Sequence, residues 1–303
     1  MQKTKIEWSD ATWNAIRGCD EVTPGCDNCY ARKIAERYRG VPGSAYEQGF
    51  DLRLVPHKLD EPLHKLSQLR IFVNSMSDLF HKKIPKEYII DIAKVMNIAQ
   101  WHTFQVLTKR SSRMRTLLNG SMQDAAMLPN VWWGVSVEDK KHGLPRIKHL
   151  QEITEAKVRW LSIEPLLEDL GKLDLRGIHG VVVGGESGPG FREMQQDWVV
   201  SILHQCEDHN IPFFFKQWGG VIKKKTGRKL GNKEYNEQPQ TSNVPIIPWK
   251  DRMRAIAAIQ ERTQHWLDRK DLGNLVFRNG NSDINESTEI KQLGTERITS
   301  SIS

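Results

Sequence analysis

Three of the four cysteines in this chain, Cys19, Cys26 and Cys29, fall within eleven residues, spaced C-x6-C-x2-C in a loop punctuated by Pro24-Gly25. Three thiolates on one tight loop can each hold one iron of a cubane cluster, leaving a fourth iron without a protein ligand. An open iron can chelate a small molecule, which separates a reactive cluster from one that only carries electrons. Structural zinc normally closes its tetrahedron with four protein ligands, commonly from two paired motifs. Here one C-x2-C pair stands beside a lone cysteine, and the first histidine is His57. The pattern favours an open iron–sulfur cluster over zinc and over unliganded thiols. A redox disulfide between Cys26 and Cys29 would leave Cys19 unexplained. A metal-stapled, non-catalytic nucleic-acid-binding protein is the competing reading; it would need a fourth ligand and would fold only with its metal.

A second set of chemical groups follows a series of apolar runs. Asn74, Ser75, Ser77 and Asp78 come after Ile71-Phe72-Val73, and Thr108, Lys109 and Arg110 after Thr103–Leu107. Ser136, Glu138 and Asp139 end the run 131–136, Ser162 and Glu164 the run 158–163, and Lys216, Gln217 and Trp218 the run 212–215. Strands end where loops begin, so polar residues are expected there. Lys109, Glu164 and Lys216, flanked by apolar residues, read more as functional groups. Gly184-Gly185-Glu186-Ser187-Gly188-Pro189-Gly190 is a glycine-rich turn after a strand, where backbone amides can approach a polar or anionic ligand. It has neither a P-loop lysine nor the dinucleotide-binding spacing.

The elements that must position these groups alternate. The apolar runs begin about 22 to 32 residues apart, the length of a βα unit. Near-continuous apolar strands are what a parallel sheet buried on both faces requires. Between them lie amphipathic segments, such as Tyr88, Ile89, Ile92, Val95, Met96 and Ala99 after Pro85, and Trp198, Val199, Ile202, Leu203 and Cys206. Cys206 on that stripe reads as a buried core thiol. A strand near Thr12–Ile16 delivers the chain into the cysteine loop, a helix follows from Tyr30 to about Tyr38, and Asp51–Val55 is a further strand or an excursion. The fold expected is α/β, a partial or complete parallel (β/α) barrel spanning 1–220, whose strand ends share one face. Residues 221–275 read as a loop plus a helical extension carrying Met253, Ile256, Ile259 and Trp266, and 276–303 as a mobile polar tail.

Charge and composition narrow the classes. Hydrophobic residues at 38% supply a core and argue against disorder. A net charge of +7 suits a polyanionic partner such as nucleic acid, although runs such as Lys223-Lys224-Lys225 also fit a solvated loop. No apolar h-region follows Met1–Lys5, and no apolar stretch approaches the roughly 20 residues that span a bilayer. A soluble, cytoplasmic protein with reduced thiols and no membrane partner is the expectation.

Several separate segments agree, in order, with a known family. Thr4–Asn14, the three-cysteine loop with Cys29-Tyr30-Ala31, Asn74–Phe80, Leu107–Arg110, Trp133–Glu138, Ser162–Leu166, Gly184–Gly188 and Phe215–Gly219 resemble the phage-associated three-cysteine-motif proteins. The resemblance covers about residues 3–240. That family is similar in layout to radical S-adenosylmethionine enzymes, especially the spore photoproduct lyase-like branch, which also carries a mid-barrel Thr-Lys strand end. The resemblance implies a partial barrel of the radical SAM type with the cluster loop after its first strand. It implies a [4Fe-4S] cluster on Cys19, Cys26 and Cys29, with S-adenosylmethionine on the open iron, reduced through an electron donor to yield a 5′-deoxyadenosyl radical. A nucleic-acid base or nucleotide is the substrate expected. Candidate cofactor contacts are Asn74, Ser75, Asp78, Ser136, Gly184, Gly185 and Glu186; candidate catalytic residues are Lys109 and Glu164. The chain departs from the usual C-x3-C-x2-C loop, and its Gly-Gly-Glu element comes late. By order, Asn74–Asp78 is therefore the candidate to face the methionyl group.

Overall fold

The computed structural model describes residues 1–277. Ten strands form: β1 (Gln2–Lys3), β2 (Ala11–Trp13), β3 (Ile16–Arg17), β4 (Arg53–Leu54), β5 (Arg70–Val73), β6 (Thr103–Thr108), β7 (Val131–Ser136), β8 (Val158–Ile163), β9 (Gly180–Gly184) and β10 (Phe213–Gln217). The helices are α1 (Tyr30–Arg37), α2 (Lys86–Ile98), α3 (Ser111–Leu118), α4 (Gln123–Ala126), α5 (Lys140–Gln151), α6 (Gln196–Asp208), α7 (Lys223–Thr226) and α8 (Trp249–Asp268). Eight strands make one sheet in the order β1-β2-β5-β6-β7-β8-β9-β10. β1 pairs antiparallel to β2; the other seven run parallel and curl into a half-barrel. The Asp51–Val55 segment is an excursion: β4 pairs antiparallel with β3 in a separate two-stranded sheet.

Alternation along the strands sorts side chains onto two faces. Ile71, Val73, Phe104, Val106, Trp133, Leu161 and Val183 belong to the large core shared with the helices. Phe72, Trp132, Trp160, Val182 and Phe214 point the other way and form, with Trp8, a small aromatic cluster inside the curl. Trp8 packs on Phe72 and Trp160 with ring centroids 4.7 and 5.1 Å apart. It is drawn in by buried Gln105, whose Nε2 donates to Trp8 O (3.1 Å) while Oε1 accepts from Ser9 Oγ (2.7 Å). The Trp160 indole donates to Val106 O and Trp132 O, and lies where a Cβ on Gly134 would sit, 2.3 Å from Nε1.

Helix α2 begins after Pro85 and buries Tyr88, Ile89, Ile92, Val95 and Met96. Cys206 on α6 is fully buried. Beyond β10 the chain bridges back along that strand (Phe214 with Asn236) and passes Trp8 and Thr103, through Gln238 Nε2 to Trp8 O and Ser242 N to Thr103 Oγ1. Helix α8 then docks on α2: buried Asp91 accepts from Trp266 Nε1 (2.9 Å) and from Arg262 (2.8 Å). Val276 is buried and Phe277 N donates to Leu54 O (2.8 Å); the rest of the segment expected as a tail lies outside the described residues. Among the described residues, no helix is long and apolar enough to cross a membrane.

The close fit of Gly134 against Trp160 yields a stability prediction. Gly134→Ala should cost about 1–3 kcal/mol or more by displacing the indole from the lumen floor, read as a lower urea midpoint with an unchanged m-value. A wild-type midpoint would mean the floor has slack.

Candidate functional site

The cysteine loop leaves β3 through Gly18, which has φ +79° and whose Cβ would fall 2.2 Å from Asp51 O, so only glycine fits. Gly18 N donates to Met76 O and Cys19 N to Phe50 O, pinning Cys19 between two segments. Cys26 closes a 3-10 turn over Pro24–Cys26. Cys29 N donates to Cys26 O, and Cys29 O accepts the first turn of α1 from Lys33 N. Ala31 and Ala35 of that helix bury against Tyr46, Phe50 and Met76, with Cys19 and Cys29 at the edge of the cluster.

The second strap on this loop comes from the glycine-rich turn after β9. The Arg192 guanidinium reaches Asp27 (3.2 Å), Pro24 O (2.8 Å) and Glu186 Oε1 (2.5 Å). Glu186 Oε2 accepts from Arg192 N and Nε and from Asn28 Nδ2 (3.0 Å). Burial would raise the Glu186 carboxyl, but the Arg192 and Asn28 hydrogen bonds outweigh it and hold it below the usual carboxylate range. A third tie joins Thr23 Oγ1 to Glu138, itself buried against Arg146 (2.5 Å).

All three cysteines open onto one cavity of about 270 Å³ at the carboxyl ends of the strands. Ile6, Trp8, Phe72 and Leu107 make its apolar floor and wall; Tyr30, whose hydroxyl donates to Ser75 O (2.8 Å), overhangs it. Of the residues singled out from the sequence, Asn74, Ser75, Asp78, Lys109, Ser136, Glu164, Gly185 and Glu186 line the same cavity. Gly184 lies just behind, its Cβ position 2.8 Å from Glu164 Oε1. These residues do not stand alike within it. Asp78 is saturated by Thr108 Oγ1, Phe80 N, Lys109 N and Arg110, and Glu186 by the strap, so both carboxylates anchor loops. Glu164 Oε2 accepts from Lys216 Nζ (3.0 Å) while Oε1 is left unpartnered. Trp8 Nε1, Asn74 Nδ2, Ser162 Oγ and Gln217 Oε1 are likewise buried and without a partner. Asn74 also holds φ +60°, uncommon for a residue with a side chain.

Arg110 bridges the two sets: Nη1 lies 3.4 Å from Cys19 Sγ and 3.0 Å from Asp78 Oδ2, and Nη2 donates to Asp20 O (3.0 Å). Burial, with Asp78 adding to it and Arg110 opposing, pushes the Cys19 thiol up to about 11. Among the described residues no three His, Cys, Asp or Glu side chains converge on a single metal-ion position. A cubane distributes its three ligand sulfurs over three irons, so its loop has no such point to meet. Five residues that line the cavity, Trp8, Asn74, Ser162, Glu164 and Gln217, each carry a buried polar atom without a partner, so hydrogen-bonding capacity is left over around it. Residues 3–239 match the model of the family described as "Protein of unknown function (DUF5131)".

The chain belongs to this family. No curated protein matches it. Two solved structures are similar. One is a spore photoproduct lyase double mutant with bound AdoMet and dinucleoside spore photoproduct, at 9% identity, covering 91% of this chain and 77% of that chain, with a TM-score of 0.39. The other is a single mutant of spore photoproduct lyase, at 10% identity with the same coverage and TM-score.

Glu186, a candidate cofactor contact by sequence, lines the cavity and also pairs with Arg192, six residues on. The signal lay in the Glu-x5-Arg pairing, visible in the sequence but meaningless until the turn brings them together. Trp8 was the other omission, since nothing local marks an indole that precedes β2 as the cavity floor.

The strap makes a prediction of its own. Arg192→Ala should speed backbone amide exchange across 25–29 at pH 7. The native Glu186 pKa is lowered, so in wild type this protection is complete above about pH 4.3. It is lost only as pH falls through the depressed native value. Equal exchange in the two proteins would show that the loop holds itself.

Proposed function

We propose that the chain is a radical S-adenosylmethionine enzyme in which Cys19, Cys26 and Cys29 hold three irons of a [4Fe-4S] cluster over the lumen of the half-barrel. The observation that carries this reading is the shared cavity: three cysteines of one loop line it, together with five residues that each carry a buried, unpartnered polar atom. With S-adenosylmethionine on the fourth iron, such a cluster would pass on one electron that cleaves the S–C5′ bond, releasing methionine and leaving a 5′-deoxyadenosyl radical.

The chain's own residues then have separable tasks. Asn74, Ser75 and Ser136 sit at the carboxyl ends of β5 and β7, where they offer hydrogen bonds to the polar parts of the cofactor. Gly184 and Gly185 keep the β9 end free of side chains, and Glu186 with Asp78 keeps the surrounding loops in place. Glu164 Oε1 is the acceptor left free for an N–H or O–H of a ligand, oriented by Lys216. Lys109, across the cavity mouth, is the candidate proton donor or anion contact. Trp8 and Phe72 below and Tyr30 above offer π-faces, which together with Lys109 and Lys216 suit a nucleic-acid base or nucleotide. An external one-electron donor and a cytoplasmic location, where thiols stay reduced, complete the proposal.

Anaerobic reconstitution tests the assignment. Wild-type protein should hold about four irons and four sulfides per chain. Cys19→Ala, Cys26→Ala and Cys29→Ala should each lose the visible sulfur-to-iron absorbance while keeping far-UV circular dichroism. Retained absorbance in all three, or stoichiometric zinc in the wild type, would defeat it.

A further inference from the structure

We propose that Arg110 is a positioning residue for Cys19 that sets the reduction potential of the cluster through a hydrogen bond to the ligand sulfur; this rests on the cluster reading above. The guanidinium is held on three sides. Nη1 points at both Cys19 Sγ (3.4 Å) and Asp78 Oδ2 (3.0 Å), and Nη2 donates to Asp20 O (3.0 Å). Its backbone is fixed as well, Arg110 N donating to Thr108 Oγ1 (2.8 Å). Only 12% of the Arg110 side chain is exposed, so water screens the contact weakly. Asp78, which orients the fork, is itself held by Thr108 Oγ1, Phe80 N and Lys109 N. Among the described residues no side chain donates to Cys26 or Cys29 Sγ, and of the three cysteines Cys19 alone lines both the lumen and an outer groove in which Arg32, Arg53 and Lys83 mix with Asp20, Glu36 and Asp51.

The direction of the effect follows from charge. Adding an electron to a thiolate-ligated cluster increases the negative charge on its sulfurs. A directed N–H and a positive charge beside one sulfur stabilise the reduced form more than the oxidised form. Removing the guanidinium also leaves the Asp78 carboxylate unneutralised next to Cys19, which disfavours the reduced form further. Both changes lower the potential. The Cys19 contact therefore makes the cluster easier to reduce, at the ligand nearest the outer groove.

The test is an anaerobic redox titration of the reconstituted full chain, followed by electron paramagnetic resonance. Arg110→Met and Arg110→Lys are compared with wild type and with Lys83→Met. That last variant removes a positive charge from the outer groove without touching the sulfur. The account predicts intact iron content and a midpoint potential lowered in Arg110→Met by about tenfold in the reduction equilibrium, ~59 mV for one electron. The shift should be smaller in Arg110→Lys and negligible in Lys83→Met. A wild-type potential in whichever Arg110 variant retains the cluster overturns the proposal, as does an equal shift in Lys83→Met. Loss of the cluster from both Arg110 variants overturns it in favour of a purely structural role. Failure of the wild type to assemble a cluster removes the function proposed above and this inference with it, and is read from iron content before any titration.

Discussion

A curled parallel sheet has two buried faces, and helices cover only one of them; the other must be filled from within. Here Phe72, Trp132, Trp160, Val182 and Phe214, joined by Trp8, fill the lower part of the curl. Side chains alternate, so a slip of one residue in β7 would exchange Trp132 for Trp133 and drive a helix-side indole into the lumen. The aromatic layer therefore fixes the register of the strands against one another. Above it the same strands change character, contributing Gly134, Ser136, Ser162 and Gly184, and an open cavity results. The space below the cysteines arises from that switch in side-chain size along each strand, at the end where parallel strands release their loops.

The loops that meet there are stitched together by charge. Asp27 and Glu186 with Arg192, Glu138 with Arg146, and Asp78 with Arg110 are ion pairs between or beside loops that are far apart in sequence. Of these, Arg192–Asp27 is exposed on both sides and contributes little to global stability, whereas the others hold a largely buried carboxylate that would be left unpaired if its arginine were removed. Their common effect is geometric, because together they hold the C-x6-C-x2-C loop against three strand ends. The long first gap between Cys19 and Cys26 becomes intelligible in this light. It makes room for Asp20, whose carbonyl receives Arg110, and for Thr23, which reaches Glu138. Among the carboxylates that line the site, Glu164 keeps a buried oxygen without a partner.

Much of this was legible in the sequence because it is local. The βα rhythm, the helix after Pro85, the buried Cys206 stripe and the cysteine spacing each depend on residues within a few turns of one another. The half-barrel was also legible, since apolar strands at βα spacing have few other ways to bury both faces. What escaped depended on separation. Glu186 and Asp78 line the cavity as candidate ligand contacts, and their pairing with Arg192 and Arg110 is visible only once the loops are brought together. Trp8 and Arg192 act across 97 and 168 residues respectively, through Gln105 Nε2 and Pro24 O. The excursion of Arg53-Leu54 into pairing with Ile16-Arg17 shares an apolar–basic pattern with many edge strands, so its partner was not readable from composition.

The central claim is that one iron of the cluster is open toward the lumen and takes S-adenosylmethionine as its ligand. The most direct measurement is the electron paramagnetic resonance spectrum of the dithionite-reduced, reconstituted protein, recorded with and without S-adenosylmethionine labelled with ¹⁷O or ¹⁵N in the methionyl group. The account predicts a changed g-tensor on addition and a hyperfine coupling from the label to the cluster. A fully assembled cluster whose spectrum is unchanged and shows no coupling would contradict it.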